Sequence, residues 1–162
     1  MDVQNDFMRP DGRLYVHDLF NAGDPGAIQV TDAIVRSVAW MREHCDVVVF
    51  TGDWHGYGDR EIDTVAPDAT RGTYPPHCMG RSPDENEREG AEVIAEVRPG
   101  EDVLTLPSDA SDEMARETAR RAVHEHRPVF IQKTEFSVFE GNRSADTFVR
   151  TLVSELGGSV GF

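Results

Sequence analysis

The chain has 162 residues, of which 38% are hydrophobic, 8% aromatic and 28% charged. Those proportions fit one globular domain with a core of its own. Sixteen basic against thirty acidic side chains leave a net charge of −14, which argues against a nucleic acid or an anionic membrane surface as partner.

In chain order, residues 2–7 read as the end of a strand and the turn after it, and residues 8–29 as loop. Thr31 or Asp32 can cap a helix. Val30, Ile34, Val38 and Met41 form its apolar face, and it should end near His44. Residues 47–51 are a short β-branched run that fits a strand buried on both faces. Residues 52–83 are rich in Gly, Pro and Asp, and a connection of that length points to function. Ala91, Val93, Ile94 and Val97 suggest a short helix inside an acidic, solvated stretch. Residues 102–106 read as a strand. Residues 111–126 read as a polar helix with the stripe Met114, Ala115, Ala119, Ala122 and Val123. Residues 128–133 form another buried strand. The last helix is capped by Ser144 and carries Phe148, Leu152 and Leu156 on one face. Residues 159–162 look like the start of a further strand. Strands alternating with helices give an α/β domain with a mainly parallel sheet, in which chemistry collects at the carboxyl ends of strands. Both ends of the chain read as cut through a strand, so a fragment is expected. No apolar run approaches a membrane span, and no basic-then-apolar leader follows Met1. Cys45 and Cys78 make no disulfide framework, so a reducing cytoplasm is the expected compartment.

Three strand ends carry candidate chemistry. Asp53 and His55, two apart in an extended segment, face one point. His77 returns to them on a loop stiffened by Pro75 and Pro76. One carboxylate and two imidazoles can form a facial ligand set for a divalent ion, or be ordinary polar surface. Asp2 is by itself a terminal charge. Lys133 is the sole lysine. It either snorkels from its strand or holds a nearby carboxylate ionised. Cys45 and Cys78 read as structural, since neighbours in an extended segment point to opposite faces and His77 is badly placed to activate Cys78. His17, His44, His124 and His126 show no pairing logic.

In this order the segments resemble the nicotinamidase and isochorismatase-like cysteine hydrolases. Asp2-Val3-Gln4-Asn5-Asp6-Phe7 resembles the family's opening motif. Thr51-Gly52-Asp53-Trp54-His55 and Tyr74-Pro75-Pro76-His77-Cys78 resemble its two metal motifs. Residues 133–142, from Lys133 to Asn142, resemble its catalytic-lysine motif. The resemblance implies a three-layer α/β/α fold and a Cys–Asp–Lys triad. In it Asp2 takes the thiol proton and Lys133 pairs with the triad electrostatically. Asp53, His55 and His77 would bind Zn²⁺, Fe²⁺ or Mn²⁺, and Phe7 and Tyr74 would line the substrate pocket. The implied reaction converts nicotinamide or a related carboxamide to the acid and ammonia. The family's nucleophile would follow the strand that begins at Val160, beyond Phe162. Where many nicotinamidases carry a further His, this chain has Gly58-Asp59-Arg60-Glu61, with Asp59 or Glu61 as candidate fourth ligands. The stretch before Lys133 is long for the family. A sibling hydrolase with another substrate, or a non-catalytic metal-binding remnant, are the alternatives. A small-molecule amide is the expected partner, and a homo-oligomer stays open.

Overall fold

The computed structural model describes residues 2–157; the strand expected at residues 159–162 lies outside them. The described residues fall into two compact units. One comprises residues 2–40 and 52–98, the other residues 41–51 and 99–157. Among the described residues no helix is long and apolar enough to cross a membrane.

The second unit holds a small parallel sheet, apart from Gly52 and Asp53 at the end of its first strand. Its strands are β1 (Val49–Asp53), β2 (Leu104–Leu106) and β3 (Val129–Lys133), in the order β1-β3-β2. Leu104, Thr105 and Leu106 stand in register with Val129, Phe130 and Ile131. β3 is central and its first three residues are buried. β1 begins two residues later than the sequence suggests and is not buried on both faces: Phe50 is buried, but Val49 is 37% exposed. The reason is position, because β1 lies at one edge of the described sheet.

Helices α4 (Asp112–His124) and α6 (Ala145–Glu155), the latter preceded by the short α5 (Val138–Gly141), complete this unit's core. Ser111 caps α4, its Oγ accepting from the Met114 N–H at 3.2 Å. The buried stripe of α4 is Ala115, Thr118, Ala119 and Ala122; Met114, expected within it, is 47% exposed. Small side chains on that stripe leave room for Phe148 of α6, which is fully buried. Burying such a ring contributes about 1.5–3 kcal/mol. Ser144 occupies the N-cap position of α6 but makes no side-chain cap. Its Oγ and N–H meet Asn142 Oδ1 instead, at 3.3 and 3.1 Å.

The first unit is mostly irregular chain. Asn5–Met8 form the short helix α1, where the sequence suggests only a turn. A 3₁₀ turn (Gly26–Val30) runs directly into α2 (Thr31–His44), so neither Thr31 nor Asp32 caps it. The Thr31 hydroxyl in fact has no hydrogen-bond partner. Ile34 and Val38 are its buried residues, as the spacing predicts. Helix α3 (Glu85–Ala91) takes the acidic residues themselves, with Asp84 accepting from Asn86 N–H at its N-cap. Val93, Ile94 and Val97 follow the helix rather than form it, and all three are buried. They are needed elsewhere: Gln4 bridges Val93 in antiparallel sense, Ile94 N–H donates to Val3 C=O, and Asn5 N–H to Glu92 C=O, both at 2.9 Å. Residues 54–84 contain one 3₁₀ turn (Ala69–Arg71) and a single bridge between Ile62 and Tyr74.

Candidate metal centre

Asp53 ends β1 and His55 follows two residues later, so both side chains fall on one side of an extended segment. His77 arrives from the long connection. Its approach is fixed because His55 N–H donates to Cys78 C=O at 2.9 Å and Arg81 N–H to His55 C=O at 3.0 Å. All three side chains are buried, and one ligand atom from each lies within 4.8 Å of the others. Asp53 Oδ2 is 3.9 Å from His55 Nε2 and 3.7 Å from His77 Nε2.

The outer nitrogens set the ring orientations. His77 Nδ1 lies 2.8 Å from Pro75 C=O, an acceptor only, so Nδ1 carries the hydrogen and Nε2 offers a lone pair. His55 Nδ1 lies 3.3 Å from Asp59 Oδ2. His55 Nε2 is buried and has no hydrogen-bond partner. A buried imidazole nitrogen left unpaired is costly, and a metal ion would satisfy it. The set of one carboxylate and two imidazoles suits a divalent transition metal or zinc with open positions. The residues present therefore fit the group.

Asp59, one candidate for a fourth ligand, stands outside the three-residue donor group. Its carboxylate stands behind His55, accepts from Gly56 N–H at 3.1 Å and pairs with Arg81. Burial pushes the Asp59 carboxyl up, but the Arg81 and Gly56 hydrogen bonds, the Arg81 charge and His55 bring it below the ordinary range. Glu61 is buried, yet stands outside the three-residue donor group.

Aromatic rings flank His77. Phe7 is tilted against it at 5.5 Å between centroids and Tyr74 meets it edge-on at 6.0 Å. Phe7 and Tyr74, the expected substrate contacts, thus stand beside the His77 imidazole. Trp54 lies against Gly80: a Cβ there would come within 2.2 Å of its indole, so only glycine fits.

Two residues outside the predicted set hold this geometry. Gln4 is fully buried. Its Nε2 donates to Asp53 C=O at 2.7 Å and to Ala91 C=O at 2.6 Å, while its Oε1 accepts from Asp53 N–H at 2.7 Å. Asp6 is buried and accepts from Cys78 N–H at 2.6 Å and Arg13 N–H at 3.0 Å. Cys78 needs that anchor, since its φ of 44° is unfavourable for a residue with a Cβ. The available signal for Gln4 was its place two residues after Asp2 around buried Val3, because residues two apart in an extended segment share one side.

The thiol of Cys78 is fully buried and directed at Gly90 C=O, 3.8 Å away, which fits its structural reading. Cys45 is exposed at the end of α2. Asp2 is half-buried beside Val3. Lys133 belongs to the second unit, where it is buried at the end of β3 and its Nζ donates to Glu135 C=O at 3.2 Å. The rest of its motif is structural. Asn142 Nδ2 donates to Pro107 C=O at 2.9 Å and Gln132 C=O at 2.8 Å, tying the ends of β2 and β3. A Cβ on Gly141 would meet Glu135 N at 2.5 Å and Lys133 Cβ at 3.0 Å.

The parallel sheet with its helices matches an α/β isochorismatase-like fold. The chain is similar in structure to the nicotinamidase/pyrazinamidase PncA from Bacillus subtilis, with a TM-score of 0.52 and 22% identity. The match covers 96% of this chain and 62% of that one. No protein-family model and no curated protein matches the chain.

Proposed function

We propose that the chain is part of a nicotinamidase-like amidohydrolase, converting nicotinamide or a close carboxamide to the acid and ammonia. The observation that carries the reading is the buried Asp53–His55–His77 group, with the unpaired His55 Nε2 at its centre and Phe7 and Tyr74 against His77. Aromatic walls beside a metal-facing imidazole suit a flat heteroaromatic ring. Zn²⁺, Fe²⁺ or Mn²⁺ held there would supply a Lewis acid for the ring nitrogen of a pyridine substrate.

The covalent step needs a thiolate. Cys78 is sealed in the interior, so the reading takes the nucleophile from a cysteine outside these 162 residues. Asp2 accepts the thiol proton. The sulfur bonds to the amide carbon and the developing oxyanion is held by backbone N–H groups near the nucleophile. The proton passes to the amide nitrogen, the C–N bond breaks and ammonia leaves. Water then cleaves the thioester, giving the acid and restoring the thiol. In this reading Lys133 pairs electrostatically with the triad. The setting would be the cytoplasm and the partner a small amide, with no nucleic acid or membrane involved.

The test is to express this chain together with its flanking coding sequence, load it with metal, and measure ammonia release over a panel of carboxamides. Release from nicotinamide, lost in Asp2→Ala and Lys133→Ala, is expected. Release only from non-pyridine amides would assign a sibling hydrolase. No release from any amide, with metal retained, would leave the non-catalytic metal-binding reading.

A further inference from the structure

We propose that Asp59 and Arg81 form an outer-shell positioning pair that fixes the orientation of His55 and thereby sets the affinity of the metal centre. The inference rests on the reading of Asp53, His55 and His77 as ligands.

The His55 ring can present its inner nitrogen as a ligand only if its hydrogen sits on the outer one. The groups around that outer nitrogen decide this. Asp59 Oδ2 lies 3.3 Å from Nδ1, and an ionised carboxylate only accepts. Nδ1 is therefore the donor, and Nε2 faces Asp53 with a free lone pair. The same carboxylate oxygen accepts from Gly56 N–H and pairs with Arg81, so it is held from three directions. Arg81 is itself anchored, because its N–H donates to His55 C=O at 3.0 Å. A closed loop results: the His55 backbone holds Arg81, Arg81 holds Asp59, and Asp59 holds the His55 ring. The two ligand histidines are thus oriented differently. His77 leans on a backbone carbonyl, which no substitution at Pro75 removes. His55 leans on a side chain that is replaceable, and a carboxylate behind a histidine raises its basicity as a ligand. Asp59 and Arg81 are partly exposed, with side chains 18% and 45% accessible, so both can be changed without emptying the core.

The test uses Asp59→Asn, Asp59→Ala and Arg81→Gln beside wild type and His55→Ala. Two quantities are read: Zn²⁺ affinity by calorimetry, and the imidazole tautomers of the metal-free protein by ¹⁵N NMR. Wild type should show both ligand histidines with hydrogen on Nδ1. Asp59→Ala should release the His55 tautomer, leave His77 unchanged, and weaken Zn²⁺ about ten- to a hundredfold. Asp59→Asn keeps an acceptor and should lose less, and Arg81→Gln should fall between. Co²⁺ absorption of the loaded variants should keep the wild-type band shape, because no inner ligand is lost; a changed band shape would make Asp59 a direct ligand and overturn the proposal. So would an unaltered His55 tautomer in folded Asp59→Ala. Should wild type bind no more Zn²⁺ than His55→Ala, the ligand reading fails, and the proposal falls with it even if the tautomers respond as expected.

Discussion

A glutamine side chain carries the same donor and acceptor as a peptide group, and Gln4 uses both on Asp53. Its amide meets the Asp53 N–H and C=O at 2.7 Å each, as a neighbouring strand would, while the second amide hydrogen goes to Ala91. Truncation would remove three hydrogen bonds to buried backbone groups, and each lost bond costs about 1–3 kcal/mol when no partner or water replaces it. Gln4→Ala is therefore expected to lose about 3 kcal/mol or more in urea unfolding. Gln4→Glu keeps the shape but puts an acceptor against two carbonyls, so it should be no milder. A smaller change on either variant than on a surface control would mean that water repairs the gap. Asp24 offers a contrasting residue, exposed yet heavily bonded. Phe20 N–H is the main cause of its carboxyl falling to about 2; desolvation opposes it, and Gly26, Asn21 and Leu19 N–H groups add to the lowering. The folded value lies below the ordinary 3.8, so the acid's contribution is complete above that value and is lost as pH falls through about 2. An NMR titration should show the Phe20 and Gly26 amides shifting with a midpoint near 2, and a midpoint at the ordinary carboxylate value would count against these bonds.

At the scale of elements, periodicity located what is regular and failed where polar side chains stand in for backbone. α2 and α4 match their apolar spacing, and β3 ends at Lys133 as its sequence implies. Asp53 and His55 were legible because a period of two is all that puts them side by side. Residues 85–97 were misread for a physical reason. The apolar residues Val93 and Ile94 do not face a helix's core but line a strand-like segment against residues 3–5, Val97 closes the turn after them with its N–H on Ile94 C=O, and the acidic run preceding them coils because Asp84 caps it. The place of Asp59 at His55 Nδ1 was not legible, because spacing cannot tell which nitrogen of a histidine a carboxylate will face. The packing of α3 against α1 can be tested at Gly90, where a Cβ would lie 2.2 Å from Asp6 Oδ2. Gly90→Ala must push that carboxylate off Cys78 N–H or shift α3. Either outcome costs about 1–3 kcal/mol. Because Cys78 follows His77 directly, Zn²⁺ affinity should fall together with stability. Equal melting temperature and equal affinity in the variant would show that α3 moves freely and that Asp6 does not anchor the loop.

For the whole molecule, the charge of −14 complicates any statement about metals, since thirty carboxyl groups attract divalent cations without a site. The physical difference between the two kinds of binding is screening. Exposed carboxylates lose their attraction for a cation at about 0.15 M salt, where the Debye length is about 8 Å, whereas a buried donor set is screened much less. Binding to the folded state alone also adds stability by mass action, about 2.7 kcal/mol at a hundredfold excess over the dissociation constant. At that salt concentration, Zn²⁺ should raise the melting temperature of wild type and leave His55→Ala unmoved, with a chelator reversing the effect. Hydrogen exchange should place the new protection in residues 53–57 and 74–81, the segments that carry the donors and share backbone hydrogen bonds through His55, Cys78 and Arg81. Mg²⁺, which prefers an oxygen-rich octahedral shell, should shift neither protein. If Zn²⁺ stabilised wild type and His55→Ala alike, its binding would belong to the acidic surface, and the buried Asp53–His55–His77 group would have to owe its arrangement to packing alone.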